Sequence, residues 1–173
     1  MDRVRDCRKV APMRPAPPNF DPRIWARLEE ARELLRQGDV AAALDGYTST
    51  WCECVAASDH LHASVIAHMA GVAEPDIVKK HEWNLRAISQ ADQVADRSLV
   101  NDVYASNLNN LGLSYAQLGD QRKAMEIFEA ALRAVDDLQP GPYRDQVRAG
   151  IERNLARAIF DGGQCRRTRP VKA

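Results

Sequence analysis

Apolar residues recur at intervals of three and four along most of the chain, the spacing that collects them on one face of an α-helix. The first such segment begins at Asp21-Pro22, a capping residue followed by a first-turn proline, and continues to Gly38. Nowhere do apolar and polar residues alternate between turn residues as they do in a strand, so the chain is predicted to be all-α. The pattern predicts about seven helices, over residues 22–38, 39–57, 60–72, 75–95, 98–119, 120–138 and 143–160.

One helical hairpin occurs twice in the sequence. Residues 34–47 align with residues 115–128, and each copy places Gly-Asp at the turn between its two helices. Around the second copy the diagnostic positions are Leu108, Leu111, Gly112, Tyr115, Ala124, Phe128 and Ala131. This pattern resembles the tetratricopeptide repeat, a helical hairpin of about 34 residues, with Leu108 in place of the usual tryptophan. The middle of the chain is similar to small tetratricopeptide-type proteins of actinobacteria, and an excess of arginine over lysine is typical of GC-rich bacterial genomes.

The resemblance implies a right-handed solenoid with a concave groove. Its parts would be three hairpins over about 22–57, 59–95 and 98–138, and a capping helix over 143–160. Gly112 is expected to let two helices approach closely, and Phe128 to fill the space between them. The first copy is weaker, with Glu30 where a leucine is expected. Because the two Gly-Asp turns lie 81 residues apart, the middle hairpin is expected to be irregular, with its turn near residues 73–74.

The charges divide the chain into a body and two tails. Residues 1–20 and residues 161–173 each carry a net charge of +3, so the domain between them carries −6 although the whole chain is neutral. Four prolines between residues 11 and 18 disfavour helix in the N-terminal tail, which is expected to be disordered. The tails either tether an acidic partner or merely solubilise the ends. An acidic body argues against specific nucleic-acid binding.

The tetratricopeptide resemblance implies that the concave surface holds a protein or peptide partner. In that family the residue two before the small glycine contacts the ligand, which is Asn110 here, and Gly150 gives Arg148 the equivalent place on the last helix. An asparagine amide and arginine side chains there would suit a carboxylate. On the third helix His60, Ser64 and His68 fall at i, i+4 and i+8 and are expected to face the groove. The predicted groove residues are His60, Ser64, His68, Asn109, Asn110, Gln117, Arg144 and Arg148.

Less specific interpretations of the same residues stay open. The asparagines and arginines are equally typical of solvated helix faces, and surface histidines often have no ligand. Cys52-x-Cys54 and His60-x-His62 supply soft metal ligands, but residues two apart on a helix point about 200° away from each other. His81-Glu82 begins a zinc-protease motif whose second histidine is missing, and phosphate-loop, dinucleotide and serine-hydrolase motifs are absent from the sequence. No metal, cofactor or catalytic residue is therefore predicted.

The function predicted from the sequence is a binding scaffold without catalytic activity. A ligand-responsive regulator is the first alternative, and a metalloprotein or enzyme using the His/Cys cluster is the second. No apolar run approaches the roughly 18 residues of a membrane span, and no signal-peptide pattern begins the chain, so a cytoplasmic protein with reduced thiols is expected. The open end of a solenoid makes a homodimer through the N-terminal hairpin a secondary expectation.

Overall fold

The structure, a computed structural model, describes residues 20–167, with side chains to residue 163. Seven α-helices and one short 3-10 helix make up this part of the chain, and it contains no strand. The prediction of an all-α fold with seven helices is confirmed. The helices are α1 (Pro22–Gln37), α2 (Val40–Ala56), α3 (His60–Ala73), α4 (Ile77–Ala91), α5 (Asn101–Gln117), α6 (Gln121–Val135) and α7 (Pro142–Arg167), with the 3-10 turn at Arg97–Leu99.

The two Gly-Asp turns have the same backbone geometry. Gly38 and Gly119 adopt φ values of 87° and 89°, in the left-handed region that glycine enters without a steric penalty. The aspartate that follows each glycine caps the next helix, with Asp39 Oδ1 3.1 Å from the Ala42 amide and Asp120 Oδ1 2.9 Å from the Lys123 amide. The repeated turn is therefore a repeated structure, as the alignment predicts.

Three predicted boundaries are corrected. The helices predicted over 75–95 and 98–119 are separated more widely, because Asp96 caps the Arg97–Leu99 turn and α5 begins only at Asn101. The last helix does not stop at residue 160 but continues through Gly162 to Arg167, and a Cβ on Gly162 would lie 3.5 Å from that of Gln121. Phe20 belongs to the folded body, where it is buried against Trp25. Residues 1–19 and 168–173 of the predicted tails lie outside the described residues.

Each helix packs on the next along the chain, and in addition α1 contacts α3 and α5 contacts α7. The start of α7 meets the start of α5, where the Tyr143 hydroxyl donates to the Asp102 carbonyl oxygen at 2.7 Å. Farther along both helices, the Asn154 amide donates to Asn109 Oδ1 at 2.9 Å. These two contacts show that α5 and α7 run in the same direction. The intervening helix α6 packs against both of them.

The residues that the repeat pattern placed between helices are buried there. A Cβ built on Gly112 would lie 2.6 Å from Cε1 of Phe128, whose ring has no exposed surface. Real Cβ atoms do not come so close, so α5 approaches α6 only because residue 112 is glycine. In the first copy, Ala43 and Tyr47 are fully buried as well.

Two apolar cores are joined by polar contacts. One core is built on α1 to α4 and the other on α5 to α7. Between them lies a set of hydrogen-bonded side chains that we call the polar seam: Ser64, His81, Asn84, Asn107 and Ser114. Ser64 Oγ donates to the Ala87 carbonyl oxygen at 2.9 Å, and His81 Nδ1 lies 2.8 Å from Ser114 Oγ. The halves of the protein therefore meet through these hydrogen bonds as well as through apolar packing, such as that of Ile88 of α4 against the second core.

Candidate functional site

The histidine and serine stripe of α3 does not line a surface groove. Ser64 has no exposed surface and is held by Ala87 and by the Asn107 amide at 3.4 Å. His60 Nδ1 lies 2.9 Å from Gln90 Oε1 of α4. The expectation that Ser64 faces a ligand is therefore wrong, because its side chain is buried and hydrogen-bonded to α4 and α5.

His68 lies at the end of the same stripe, and its Nδ1 is buried without a hydrogen-bond partner among the described residues. Burial lowers the pKa of His68 below its usual value, and the nearby Asn107 side chain partly opposes this shift. Asn107 Oδ1 is also buried and unpartnered within residues 20–163. Two buried polar atoms, His68 Nδ1 on α3 and Asn107 Oδ1 on α5, are therefore unsatisfied within the described residues.

The two arginines of α7 that were predicted to line the groove, Arg144 and Arg148, lie away from Asn110. Arg148 Nη2 pairs with Asp136 Oδ1 at 2.5 Å. Arg144 belongs to the first turn of α7, beside the start of α5, and its Nε is buried without a partner in the described part of the chain. Neither arginine lines a cavity that Asn110 lines. The structure therefore does not bring Asn110, Arg144 and Arg148 together into the carboxylate site that the sequence predicted.

Asn109 and Asn110 have different surroundings although they are adjacent. Asn109 accepts a hydrogen bond from Asn154 and thereby joins α5 to α7. Asn110 lines a cavity of about 210 Å³ between α3, α4 and α5, together with Gln117. A second cavity of about 230 Å³ lies between α5, α6 and α7. Of the predicted groove residues, the structure therefore places Asn110 and Gln117 in one site.

The two cavities adjoin at Leu113 and Gln117, which line both of them, and we call the pair of cavities the furrow. It crosses α5 from the side of α3 and α4 to the side of α7. Its polar and apolar contact groups are Lys80, Asn110, Leu113, Gln117, Asn154 and Arg157. A furrow that crosses several helices is a surface that an extended chain segment can follow.

The helices that form the furrow are held together by buried contacts, while the side-chain amides of Asn110 and Gln117 lie at its surface. Asn84 is buried and donates to the Asn110 carbonyl oxygen at 3.1 Å, which fixes α4 to α5. A Cβ on Gly71 would lie 2.8 Å from Asn84 Oδ1, so this contact needs a glycine on α3. The side-chain amides of Asn110 and Gln117 make no hydrogen bond with any residue of the described body. They are available to donate to, and accept from, a bound chain.

Sequence reasoning missed Lys80, Asn84, Asn154 and Arg157 as members of this site. Lys80 and Asn84 lie on α4, the second helix of the middle hairpin, which the repeat resemblance does not place on the groove. Asn154 and Arg157 lie on α7, half a helix beyond the arginines that the alignment with Gly112 selected. The pairing of α7 with α5 decides which of its side chains reach the furrow, and no local pattern in the sequence records that pairing.

The cysteine and histidine cluster does not converge. Cys54 is buried while Cys52 is exposed, and burial raises the pKa of the Cys54 thiol to about 11. His62 Nδ1 lies 2.7 Å from the Asp59 carboxylate, and its Nε2 accepts the Asp21 amide at 2.9 Å. Within residues 20–163, no three His, Cys, Asp or Glu side chains form a group suited to a metal ion. His62 instead connects α3 to the start of α1.

A larger cavity of about 510 Å³ lies between α1 and α2, but its charges are already paired. Arg27 Nη2 donates to Glu53 Oε1 at 3.1 Å, and Arg23 pairs with Asp21 at 3.4 Å. The furrow is the better candidate site, because the side chains of Lys80, Asn110 and Gln117 in it make no hydrogen bond or ion pair with the described residues.

Relationships to known proteins do not assign this site. None of the helices in the described part of the chain is both long and apolar enough to cross a membrane. Comparison with protein-family models, curated proteins and solved structures gave no significant match. The chemistry of the furrow therefore follows from its own residues.

Proposed function

We propose that the protein is a non-catalytic binding module that holds an extended segment of a partner protein in the furrow. One observation carries the proposal: two cavities adjoin at Leu113 and Gln117, one on each side of α5, and the side-chain amides of Asn110 and Gln117 lie unpaired along them. The alternation of helices in the packing order and the repeated Gly-Asp hairpin support a tetratricopeptide-like right-handed solenoid, with the furrow on its concave side.

Side-chain amides suit a peptide ligand because each offers a donor and an acceptor to a peptide bond. Asn110 and Gln117 are two turns apart on one face of α5, so both can contact the same passing chain. Leu113 lies between them and gives an apolar contact. The arrangement combines sequence-tolerant polar contacts with one apolar position, which favours a peptide over a small polar metabolite.

Selection from a displayed random-peptide library tests the proposal. Peptides selected on the wild-type protein are expected to bind the Asn110→Ala, Gln117→Ala double variant at least about tenfold more weakly, because two hydrogen-bonded contacts are lost. Glu129→Ala on α6 is the matched control, since Glu129 is exposed and lines neither cavity. Peptides that bind all three proteins equally would show that the furrow is not the binding surface.

A second candidate function is a ligand-responsive regulator, favoured by the polar seam. The 210 Å³ cavity has residues of both halves in its wall, and two of them, Asn84 and Ser114, belong to the polar seam. A ligand in this cavity would contact both halves and change their relative packing. Hydrogen exchange measured with and without a selected peptide tests this idea. Altered protection in α1 and α2, which do not contact the furrow, supports it, and changes confined to the furrow helices refute it.

A further inference from the structure

The unpaired charge of the furrow lies at its α4 end, because the charged residues at its α7 end, Arg157 and Asp161, form an ion pair at 3.8 Å. Lys80 is half-buried there and is the single charged side chain among the described residues that line the 210 Å³ cavity. No ion pair within residues 20–163 involves it. The arginines around the 510 Å³ cavity, in contrast, are neutralised by their own carboxylates. Lys80 therefore presents a positive charge that no side chain of the described body compensates.

The groups beside Lys80 limit what can pair with it. The amides of Asn110 and Gln117 line the same cavity, and so does Val72, whose exposed fraction is 57%. An ammonium and a neighbouring amide donor match the oxygens of a carboxylate, and the exposed valine matches the methylene groups that precede it. The second cavity begins at Leu113 and Gln117 and extends toward α7, so a bound chain has room to continue beyond the first cavity.

We infer that the Lys80 end of the furrow is a specificity site for an acidic side chain, glutamate or aspartate, of the bound segment. This inference rests on the proposed peptide-binding function and adds the chemistry that selects the peptide. The carboxylate lies against Lys80 Nζ and the Asn110 amide, while the peptide backbone continues over Leu113 to Gln117.

A titration with three small probes tests the inference without a known partner. The probes are glutamate with acetyl and methylamide blocking groups, glutamine blocked in the same way, and N-acetylalanine with a free terminal carboxylate. Binding is followed by the side-chain amide NMR signals of Asn110 and Gln117. Lys80→Met removes the charge and keeps most of the stem, and Lys79→Met is the matched control because Lys79 is the exposed neighbour outside the cavity.

Blocked glutamate is expected to shift both amide signals in the wild type and in Lys79→Met. In Lys80→Met its dissociation constant is expected to rise about tenfold. Blocked glutamine and N-acetylalanine are expected to bind about tenfold more weakly than blocked glutamate in the wild type. Circular dichroism of both variants establishes that they are folded.

Any one of four results overturns the inference. Equal binding of blocked glutamate and blocked glutamine shows that the charge is not recognised, and equal loss in Lys79→Met and Lys80→Met shows that any nearby lysine suffices. Stronger binding of N-acetylalanine would assign the site to a chain terminus instead. Peptides from the library that depend on Asn110 and Gln117 but not on Lys80 would leave the proposed function standing while this inference fails.

Discussion

The close approach of α5 and α6 predicts a large difference between two chemically identical substitutions. Gly112→Ala places a Cβ 2.6 Å from Cε1, 2.7 Å from Cδ1 and 3.0 Å from Cζ of Phe128. The ring is fully buried and cannot move into solvent. Overpacking of this kind costs about 1–3 kcal/mol, and three ring atoms in conflict place the expected cost in the upper part of that range.

Gly150→Ala on α7 supplies the control. A Cβ at Gly150 would meet a single side-chain atom, Arg153 Nη2, at 3.8 Å, which is an ordinary contact. Both substitutions replace glycine by alanine inside a helix and gain the same helix propensity, about 1 kcal/mol. The difference between their free energies of unfolding therefore isolates the conflict with Phe128. We expect Gly150→Ala to stabilise the protein by up to about 1 kcal/mol and Gly112→Ala to destabilise it by about 1–2 kcal/mol.

Urea unfolding followed by circular dichroism at 222 nm measures both values. A second test is Phe128→Leu, which removes most of the conflicting ring atoms. The penalty of Gly112→Ala is expected to be smaller in that background, giving a favourable coupling energy. Equal stability of Gly112→Ala and Gly150→Ala would refute the packing that we describe between α5 and α6.

Three further predictions follow from other parts of the structure. Ser58, at the turn before Asp59, has a φ of 56°, a left-handed conformation that glycine adopts more readily than serine. Ser58→Gly is therefore expected to stabilise the protein by about 1 kcal/mol in thermal unfolding. A loss of stability would contradict that geometry. Burial lowers the pKa of His68 and of His81, so the unfolded chain binds these protons more readily and stability is expected to fall as the pH drops below about 6.5. His68→Gln should flatten that dependence, and an unchanged pH profile would argue against it. The third prediction concerns the two cysteines of the folded body in a Cys7→Ser, Cys165→Ser background at pH 8. Iodoacetamide is expected to modify exposed Cys52 well before Cys54, because Cys54 is buried and its pKa is raised to about 11. Mass spectrometry of the native protein measures the order, and early modification of Cys54 would contradict its burial.

The helices and their turns follow from the sequence because they depend on neighbours in the chain. Gly38 with Asp39, and Gly119 with Asp120, combine a left-handed residue with a capping carboxylate, and both act within one turn of helix. The α3–α4 turn also lies at the predicted place, since α3 ends at Ala73. The predicted end of α7 at residue 160 was wrong because glycine weakens a helix without ending it, and α7 continues through Gly162 and Gly163.

The candidate site was harder to predict because it depends on which helices meet. A periodic pattern identifies the polar stripe of His60, Ser64 and His68 but does not distinguish solvent from a neighbouring helix that supplies hydrogen-bond partners. Ser64 finds such partners in Ala87 and Asn107, which lie 23 and 43 residues away. Lys80 has no motif around it, and its place in the 210 Å³ cavity becomes visible only when α4 and α5 are placed together. Asn110 was found because the repeat resemblance supplied the pairing that the local sequence lacks.

The most direct test of binding in the furrow is photo-crosslinking from Gln117. A photoreactive phenylalanine analogue at residue 117 is compared with the same group at Glu129, using a library-selected peptide and mass spectrometry of the products. The furrow model predicts that position 117 yields a single set of adducts, which excess unlabelled peptide removes, while position 129 yields only background. Equal crosslinking from both positions, or adducts that unlabelled peptide does not displace, would contradict the assignment of the furrow as the peptide-binding surface.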